Sequence, residues 1–220
     1  MKQEMREMPM SIADLRKDYS RMSLTEADLV DNPIEQFSIW FDHALTAEIP
    51  EANAMCLSTV APDNRPSSRI VLIKNIDARG FVWFTNYDSR KGQELVSNPH
   101  AALLFHWIEL ERQVRIEGRV ERVTDAENDD YFNSRPLLSR LAAIASDQSA
   151  PVADRATLEQ QLLDAGHIYG DLPVRPANWG GYRLVPERLE FWQGRRSRLH
   201  DRIVYTLNED GSWKKQRLQP

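Results

Sequence analysis

Ala54-Met-Cys-Leu-Ser-Thr-Val60, Ser68-Arg-Ile-Val-Leu-Ile-Lys74, Phe81-Val-Trp-Phe-Thr85, Ala101-Ala-Leu-Leu-Phe-His-Trp107 and Gln113-Val-Arg-Ile-Glu-Gly-Arg-Val-Glu-Arg-Val123 are short strand-type runs set apart by turn residues, and they decide the fold. Runs this short, with hairpin connections and no βαβ alternation, predict a closed or partly open antiparallel barrel rather than a Rossmann sheet. One helix interrupts them, from about Ser89 to Val96, and closes at Asn98-Pro99. On the N-terminal side, Asn32-Pro33-Ile34-Glu35 supplies an N-cap, a proline at the first helical position and an acidic first turn. Ile34, Phe37, Phe41, Ala44 and Leu45 then recur at helical spacing, which predicts a helix through about Glu48. Ser11-Ile-Ala-Asp14 has the form of a capping box ahead of a segment ending near Tyr19. On the C-terminal side, Thr124-Asp-Ala-Glu127 is another capping box, and Pro136 must end or kink the helix it opens. Leu137 to Ala145, and Leu158, Leu162 and Leu163, predict two further helices. Strands return at Gly181 to Leu184, Leu189 to Gln193, Arg202 to Thr206 and Trp213 to Leu218, with Asp210-Gly211 as a hairpin signal. The expected class is α+β, mostly antiparallel β, with peripheral helices. Residues 31–220 are expected to form one domain behind a mobile N-terminal arm, residues 1–30.

Composition removes several functions. The 220 residues are 41% apolar and 28% charged, as in an ordinary globular domain. The formal charge of −5 argues against a protein that coats nucleic acid, which needs a surplus of Lys and Arg. Cys56 is the only cysteine, so an intramolecular disulfide and a multi-cysteine zinc site are both excluded, and a reducing cytoplasm is the expected location. Met1 to Met10 holds no signal-peptide core, and runs such as Ala101 to Phe105 fall far short of the roughly 20 residues of a membrane span. A soluble protein without membrane attachment is therefore expected. Walker A, Gly-x-Gly-x-x-Gly, His-Glu-x-x-His and Gly-x-Ser-x-Gly motifs are missing, and His43, His100, His106, His167 and His200 are scattered, so no metal is expected.

Basic residues at special places carry the remaining signal. Asn86-Tyr-Asp-Ser-Arg-Lys-Gly92 runs from a strand end into a helix, where backbone N–H groups and two cations describe a phosphate site; the plainer reading is a solvated Arg-Lys pair. Arg69 and Lys74 are five apart on one strand, which puts them on opposite faces unless a bend intervenes, or leaves both snorkelling from the strand ends. Tyr131 and Arg135 share a helical face, with Ser139 just past the proline break; the three suit an anion, or simple packing. In Arg198-Leu-His-Asp-Arg202, period two places Arg198, His200 and Arg202 on one strand face. Such convergence calls for a bound anion, the competing reading being a solvent-facing basic strand that uses Arg195 and Arg196 on nucleic acid.

In this order, and together with Glu111-Arg-Gln-Val114, Gln148-Ser149, Trp179-Gly-Gly181 and Glu190-Phe-Trp-Gln-Gly194, these segments resemble the pyridoxamine 5′-phosphate oxidase family from about Ser11 to Pro220. The resemblance implies an FMN-binding split β-barrel, a homodimer with FMN held non-covalently at the subunit interface. It implies that Arg69, Arg90 and Lys91 hold the FMN phosphate end. Phe84, Thr85, Gln113, Gln148, Ser149, Trp192 and Arg202 complete the flavin site, with Lys74 at its edge and the backbone of Ile70, Val71, Leu72 and Ile73 against it. Lys74, Tyr131, Arg135 and Ser139 take the substrate phosphate, Arg198 and His200 the ring, and Arg16 and Tyr19 belong to an arm that covers the substrate. The implied reaction oxidises pyridoxamine or pyridoxine 5′-phosphate to pyridoxal 5′-phosphate with oxygen, releasing hydrogen peroxide, and ammonia from the amine. His200 is a candidate proton acceptor or a positioning residue. Trp83-Phe84 and the Arg217-Leu-Gln-Pro220 ending depart from the family pattern without touching a polar role. Flavin oxidases acting on a reduced ring such as a phenazine precursor share the scaffold and are the alternative.

Overall fold

The computed structural model describes residues 18–220. Arg16 and the Ser11–Asp14 capping box lie outside that range. Helix α1 (Pro33–Thr46) starts where the Asn32 side chain accepts the Ile34 N–H at 2.9 Å, and it buries Ile34, Phe37, Trp40 and Ala44 against the sheet. The strands are β1 (Ala54–Val60), β2 (Pro66–Leu72), β3 (Asn75–Asp77), β4 (Gly80–Asn86), β5 (His100–Trp107), β6 (Arg112–Arg122), β7 (Trp179–Gln193), β8 (Asp201–Leu207) and β9 (Trp213–Arg217). Every pairing is antiparallel, along the path β2-β1-β5-β6-β7-β4-β3, with β8 on β7 and β9 on β8.

β2 and β3 are one stretch broken at Ile73-Lys74. β2 pairs with β1 and β3 with β4, so this stretch joins both ends of the path and curls the sheet into a split barrel. The Ile73 N–H donates to Asn53 O at 2.9 Å and the Lys74 N–H to Val82 O at 2.8 Å, which pins the kink on both sides. Inward alternation fills the barrel with Leu57, Phe81, Trp83, Leu103, Phe105, Val114, Ile116 and Phe191. Phe37 of α1 meets Phe81 and Phe105 edge to face at 5.0 and 4.8 Å, in the geometry aromatic pairs prefer.

Helices α2 (Arg90–Ser97), α3 (Asp125–Ser134), α4 (Leu137–Ala145) and α5 (Arg155–Tyr169) sit around the barrel. The Thr124/Glu127 capping box forms as expected at α3.

Four details differ from the sequence reading. The two runs at Gly181–Leu184 and Leu189–Gln193 are one strand, because the break around Pro186 is absorbed by a register shift at Glu117/Gly118. A Cβ at Gly118 would lie 2.1 Å from Val185 O, so the facing position must be glycine. Lys74 is not in a strand with Arg69; it follows the kink. Leu24 is 2% exposed and belongs to the core, so the compact unit begins before residue 31. Finally, β8 starts only at Asp201, and Arg196–Arg198 is a short 3-10 turn in which Ser197 and Arg198 have φ of 56° and 62°.

Candidate functional site

Strand β4 and helix α2 build the first half of the site. Ser89 caps α2: its hydroxyl donates to Asn86 O at 2.6 Å and accepts the Gly92 N–H at 3.4 Å. A Cβ at Gly92 would sit 2.0 Å from Tyr87 O, so glycine lets the helix start pressed against the strand end. Lys91, 8% exposed, donates from Nζ to Gln148 Oε1 at 2.6 Å, Thr85 Oγ1 at 3.0 Å and Ser89 Oγ at 3.2 Å. All three partners are neutral. Burial, then repulsion from Arg69, lowers the Lys91 pKa to about 8 against the opposing pull of Glu94.

Arg69 enters from β2, donating to Leu57 O at 3.2 Å, to the Thr59 and Ser67 hydroxyls, and to Glu94 Oε2 at 3.2 Å. Arg90 Nε donates to Glu94 Oε1 at 2.9 Å. Three cations and one carboxylate therefore surround a helix N-terminus, a place whose partial positive charge and free amides favour an anion. A cleft of about 340 Å³ opens beside them, lined in part by Asn86, Arg90, Gln148 and Ser149.

The Lys91 shift sets a pH dependence. Between about pH 8 and the ordinary lysine pKa of 10.5, the unfolded chain holds a proton that the folded apoprotein has lost, so this group adds stability as pH rises. Anion affinity runs the other way. Titrations of the apoprotein with a phosphate monoester should weaken as pH passes 8, approaching tenfold per unit; a flat profile from pH 7 to 9.5 would remove Lys91 from the anion site.

Aromatic rings flank this half. Phe84 stacks on Tyr131 with centroids 4.0 Å apart, and both lie parallel to Trp179. Arg135, one residue past the end of α3, places its guanidinium 4.7 Å from the Trp179 centroid, and its Nη1 is buried without a hydrogen-bond partner. Burial lowers its pKa, with Tyr131 opposing. Tyr131 and Arg135 thus come together on Trp179, and half-buried Ser139 follows in α4.

The second half lies on β6, β7 and β8, where Gln113, Trp192 and Arg202 stand directly opposite one another. Arg202 is gripped by both Glu190 oxygens, at 2.8 and 3.1 Å. Tyr19 packs edge-on against Trp192 and His200, each at 5.8 Å, and comes so close to Gly194 that a Cβ there would clash with it. His200 Nδ1 accepts the Arg195 N–H at 3.1 Å. Burial, then repulsion from Arg198, lowers the His200 pKa against the pull of Asp201 and favours the uncharged ring, which, with Nδ1 accepting, carries its proton on Nε2. A cavity of about 500 Å³ adjoins, lined in part by Tyr19, Arg21, Met22, Arg195 and Leu199.

The expected one-face convergence of Arg198, His200 and Arg202 is therefore corrected. Asp201 holds the Leu24 N–H at 3.1 Å, Arg195 at 3.2 Å and Arg217 at 2.8 Å, which fixes the start of β8. Residues before it turn through left-handed backbone, and Glu190 neutralises Arg202, so cations counted along an assumed strand overstate the local charge. Arg198 itself is exposed.

Elsewhere, Ile70 is 67% exposed, Val71 and Leu72 are half-buried, and Ile73 is buried. Lys74 is exposed in a concavity it shares with Phe41 and Asp42. Sequence reasoning missed Glu94, although its i+4 spacing from Arg90 was a usable signal. It also gave no role to Glu190 or Asp201, which pair across strands. Strands β4 and β7 are neighbours in the sheet, but among the described residues no side-chain hydrogen bond, ion pair or ring contact joins the Arg69, Lys91 and Arg135 group to the Gln113, Trp192, His200 and Arg202 group within one protomer. No group of three or more His, Cys, Asp or Glu side chains there is placed to hold a metal, and no helix is long and apolar enough to cross a membrane.

A split barrel with a cation-ringed helix N-terminus beside stacked aromatic rings defines a protein built to anchor an anionic, ring-bearing ligand. Residues 41–168 match the family model described as pyridoxamine 5′-phosphate oxidase, and residues 179–220 match the pyridoxine 5′-phosphate oxidase C-terminal dimerisation region; the chain belongs to this family of FMN-binding oxidoreductases. The pyridoxine/pyridoxamine 5′-phosphate oxidases of Herminiimonas arsenicoxydans and Janthinobacterium sp. (strain Marseille) are 66% and 64% identical to it over 211 residues, covering 96% of this chain and 100% of each relative. The crystal structure of PhzG from Burkholderia lata 383, in complex with tetrahydrophenazine-1-carboxylic acid, superposes with a TM-score of 0.86 at 32% identity, over 93% of this chain and 100% of that one. The C-terminal match supports a homodimer.

The residues present fit FMN. Lys91 is a buried ammonium whose hydrogen-bond partners are all neutral, and Glu94 offsets only one of the three cations, so a phosphate would supply the missing negative charge; the Phe84 stack has the apolar character a flavin ring system needs.

Proposed function

We propose that this chain is an FMN-dependent oxidase that converts pyridoxamine 5′-phosphate or pyridoxine 5′-phosphate to pyridoxal 5′-phosphate, reducing oxygen to hydrogen peroxide; from the amine, water hydrolyses the resulting imine and ammonia leaves. The observation that carries the substrate half of this reading is Arg135 Nη1 beside Tyr131, a buried cationic donor without a hydrogen-bond partner among the described residues, which a second phosphate would satisfy. FMN, when bound, supplies the redox chemistry by accepting a hydride from the C4′ carbon and passing electrons to oxygen.

The protein's own residues bind and orient. Arg69, Arg90 and Lys91 hold the cofactor phosphate, and Phe84, Thr85, Gln113, Gln148, Ser149, Trp192, Arg202 and the Ile70–Ile73 backbone frame the flavin. Lys74, Tyr131, Arg135 and Ser139 hold the substrate phosphate. Arg198 and His200 meet the pyridine ring. His200 donates from Nε2, because accepting a proton at Nδ1 means releasing the Arg195 amide. Tyr19, packed on Trp192 and His200, excludes water from its side of the pocket. The side chains of the two groups do not meet within one protomer, and most of the second group falls within the matched dimerisation region, so pairing of protomers would bring them together with FMN at the interface. Outward-facing Ile70, level with Cys56 and Leu104, is the apolar surface such pairing covers.

Anaerobic addition of pyridoxamine 5′-phosphate to the FMN-loaded protein should bleach the flavin band, with recovery and peroxide on admitting air. A yellow protein that the vitamer does not bleach would sink the substrate assignment. The likeness to PhzG keeps one rival, a reduced phenazine-type ring. Arg135→Ala separates them: losing a charge-assisted phosphate contact worth about 1.5–3 kcal/mol should raise KM for the phosphorylated vitamer roughly 10- to 100-fold at unchanged FMN content. An unchanged KM favours the rival.

A further inference from the structure

We propose that Glu94 is a positioning residue for cofactor binding, a carboxylate that sets Arg69 and Arg90 into one cradle for the FMN phosphate. The inference rests on the phosphate lying at the N-terminus of α2. Glu94 is 3% exposed and sits on α2, one turn beyond Arg90. Its Oε1 receives Arg90 Nε from the same helix, and its Oε2 receives Arg69 Nη2 from β2, across the barrel seam. The Thr59 and Ser67 hydroxyls donate to the same Oε2, Ser67 at 2.7 Å, so the carboxylate is itself held from β1 and β2. One buried acid therefore orients two guanidinium groups that approach from different elements.

The arrangement also balances charge. Arg69, Arg90, Lys91 and Glu94 sum to two positive charges, which matches a phosphate monoester of about −2 near neutral pH. Burial pushes the Glu94 carboxyl up, but hydrogen bonds from Thr59, Ser67, Arg90 and Arg69 outweigh it and hold the pKa at about 2, so the negative charge is permanent. Removing that charge does not simply enrich the site in cations. Glu94 is the group that favours the charged form of Lys91, and without it Lys91 sheds its proton more readily. Loss of the acid thus disorders two arginines and discharges a lysine together.

The test is titration of the full-length apoprotein with FMN and with riboflavin, which lacks the phosphate, read by quenching of flavin fluorescence. Glu94→Gln should weaken FMN about tenfold or more at pH 7.5 and leave riboflavin unchanged. Ser67→Ala, which loosens the carboxylate at a half-buried position, should act in the same direction by about threefold and serves if the first variant fails to fold. Tighter FMN binding by either variant would mean Glu94 competes with the phosphate, and equal weakening of both flavins would mean general structural support; either overturns the proposal, as does an unchanged FMN affinity. Lys91→Met tests the underlying placement separately: an unaltered FMN-to-riboflavin ratio there moves the phosphate elsewhere, whatever Glu94 does.

Discussion

Lys91→Met is expected to weaken FMN binding by the apoprotein about 100-fold while the protein stays folded. A charge-assisted hydrogen bond contributes on the order of 1.5–3 kcal/mol, and Lys91 is the most enclosed of the three cations at the end of α2. Folding should respond differently. Depressing a lysine pKa from 10.5 to about 8 corresponds to roughly 3 kcal/mol at most of unfavourable burial below pH 8. Methionine of similar length removes that burden but leaves Thr85, Ser89 and Gln148 without their shared donor, which offsets much of the gain. Thermal melts of the apoprotein near pH 7 should therefore fall at or slightly above wild type, with riboflavin affinity preserved. Parallel loss of stability and of both flavins would mean that Lys91 holds the fold together rather than the phosphate.

Arg198→Ala should lower kcat about 100-fold and leave FMN content unchanged. The side chain is exposed, and no hydrogen bond or ion pair to it is found among the described residues, so truncation removes little from the folded state. Alanine meets the same left-handed penalty as arginine at φ of 62°, which keeps the backbone comparison clean. On the proposed function, what is lost is a cation near enough to His200 to bias its charge, and loss of substrate orientation there costs about two orders of magnitude in rate. Stopped-flow bleaching under anaerobic conditions separates the hydride step from oxygen chemistry. Equal losses of bound FMN and turnover would contradict this division of labour.

How legible the molecule was depended on the range over which each signal acts. Local chemistry read well: Asn32 and the Thr124/Glu127 box cap helices as their residues dictate, and the short runs pair as an antiparallel barrel. The Asn86–Gly92 segment was also readable, because a strand end, a capping serine and two cations are contiguous. Long-range pairing was not. The continuity of β7 past Pro186 depends on Gly118 from another strand, and the fate of Arg202 depends on Glu190. The Arg198–Arg202 stretch failed for the same reason. Period two assumes a strand, and what ends the strand is Asp201 capturing partners as distant in sequence as Leu24 and Arg217. The site residues came mainly from the family resemblance, and the geometry adds Glu94, which neither pattern nor resemblance supplied.

On the proposed function, the kink at Ile73-Lys74 would tie barrel closure to ligand capture. Arg69 lies on one side of it and Lys74 on the other, while the Ile73 and Lys74 amides bond to opposite flanks of the sheet. Opening the seam at the binding end means breaking amide bonds to both flanks of the sheet, so release of a bound cofactor by local fraying would meet resistance from two strands at once. On the proposed function the protein would behave as a clasp whose hinge pin is also part of its grip.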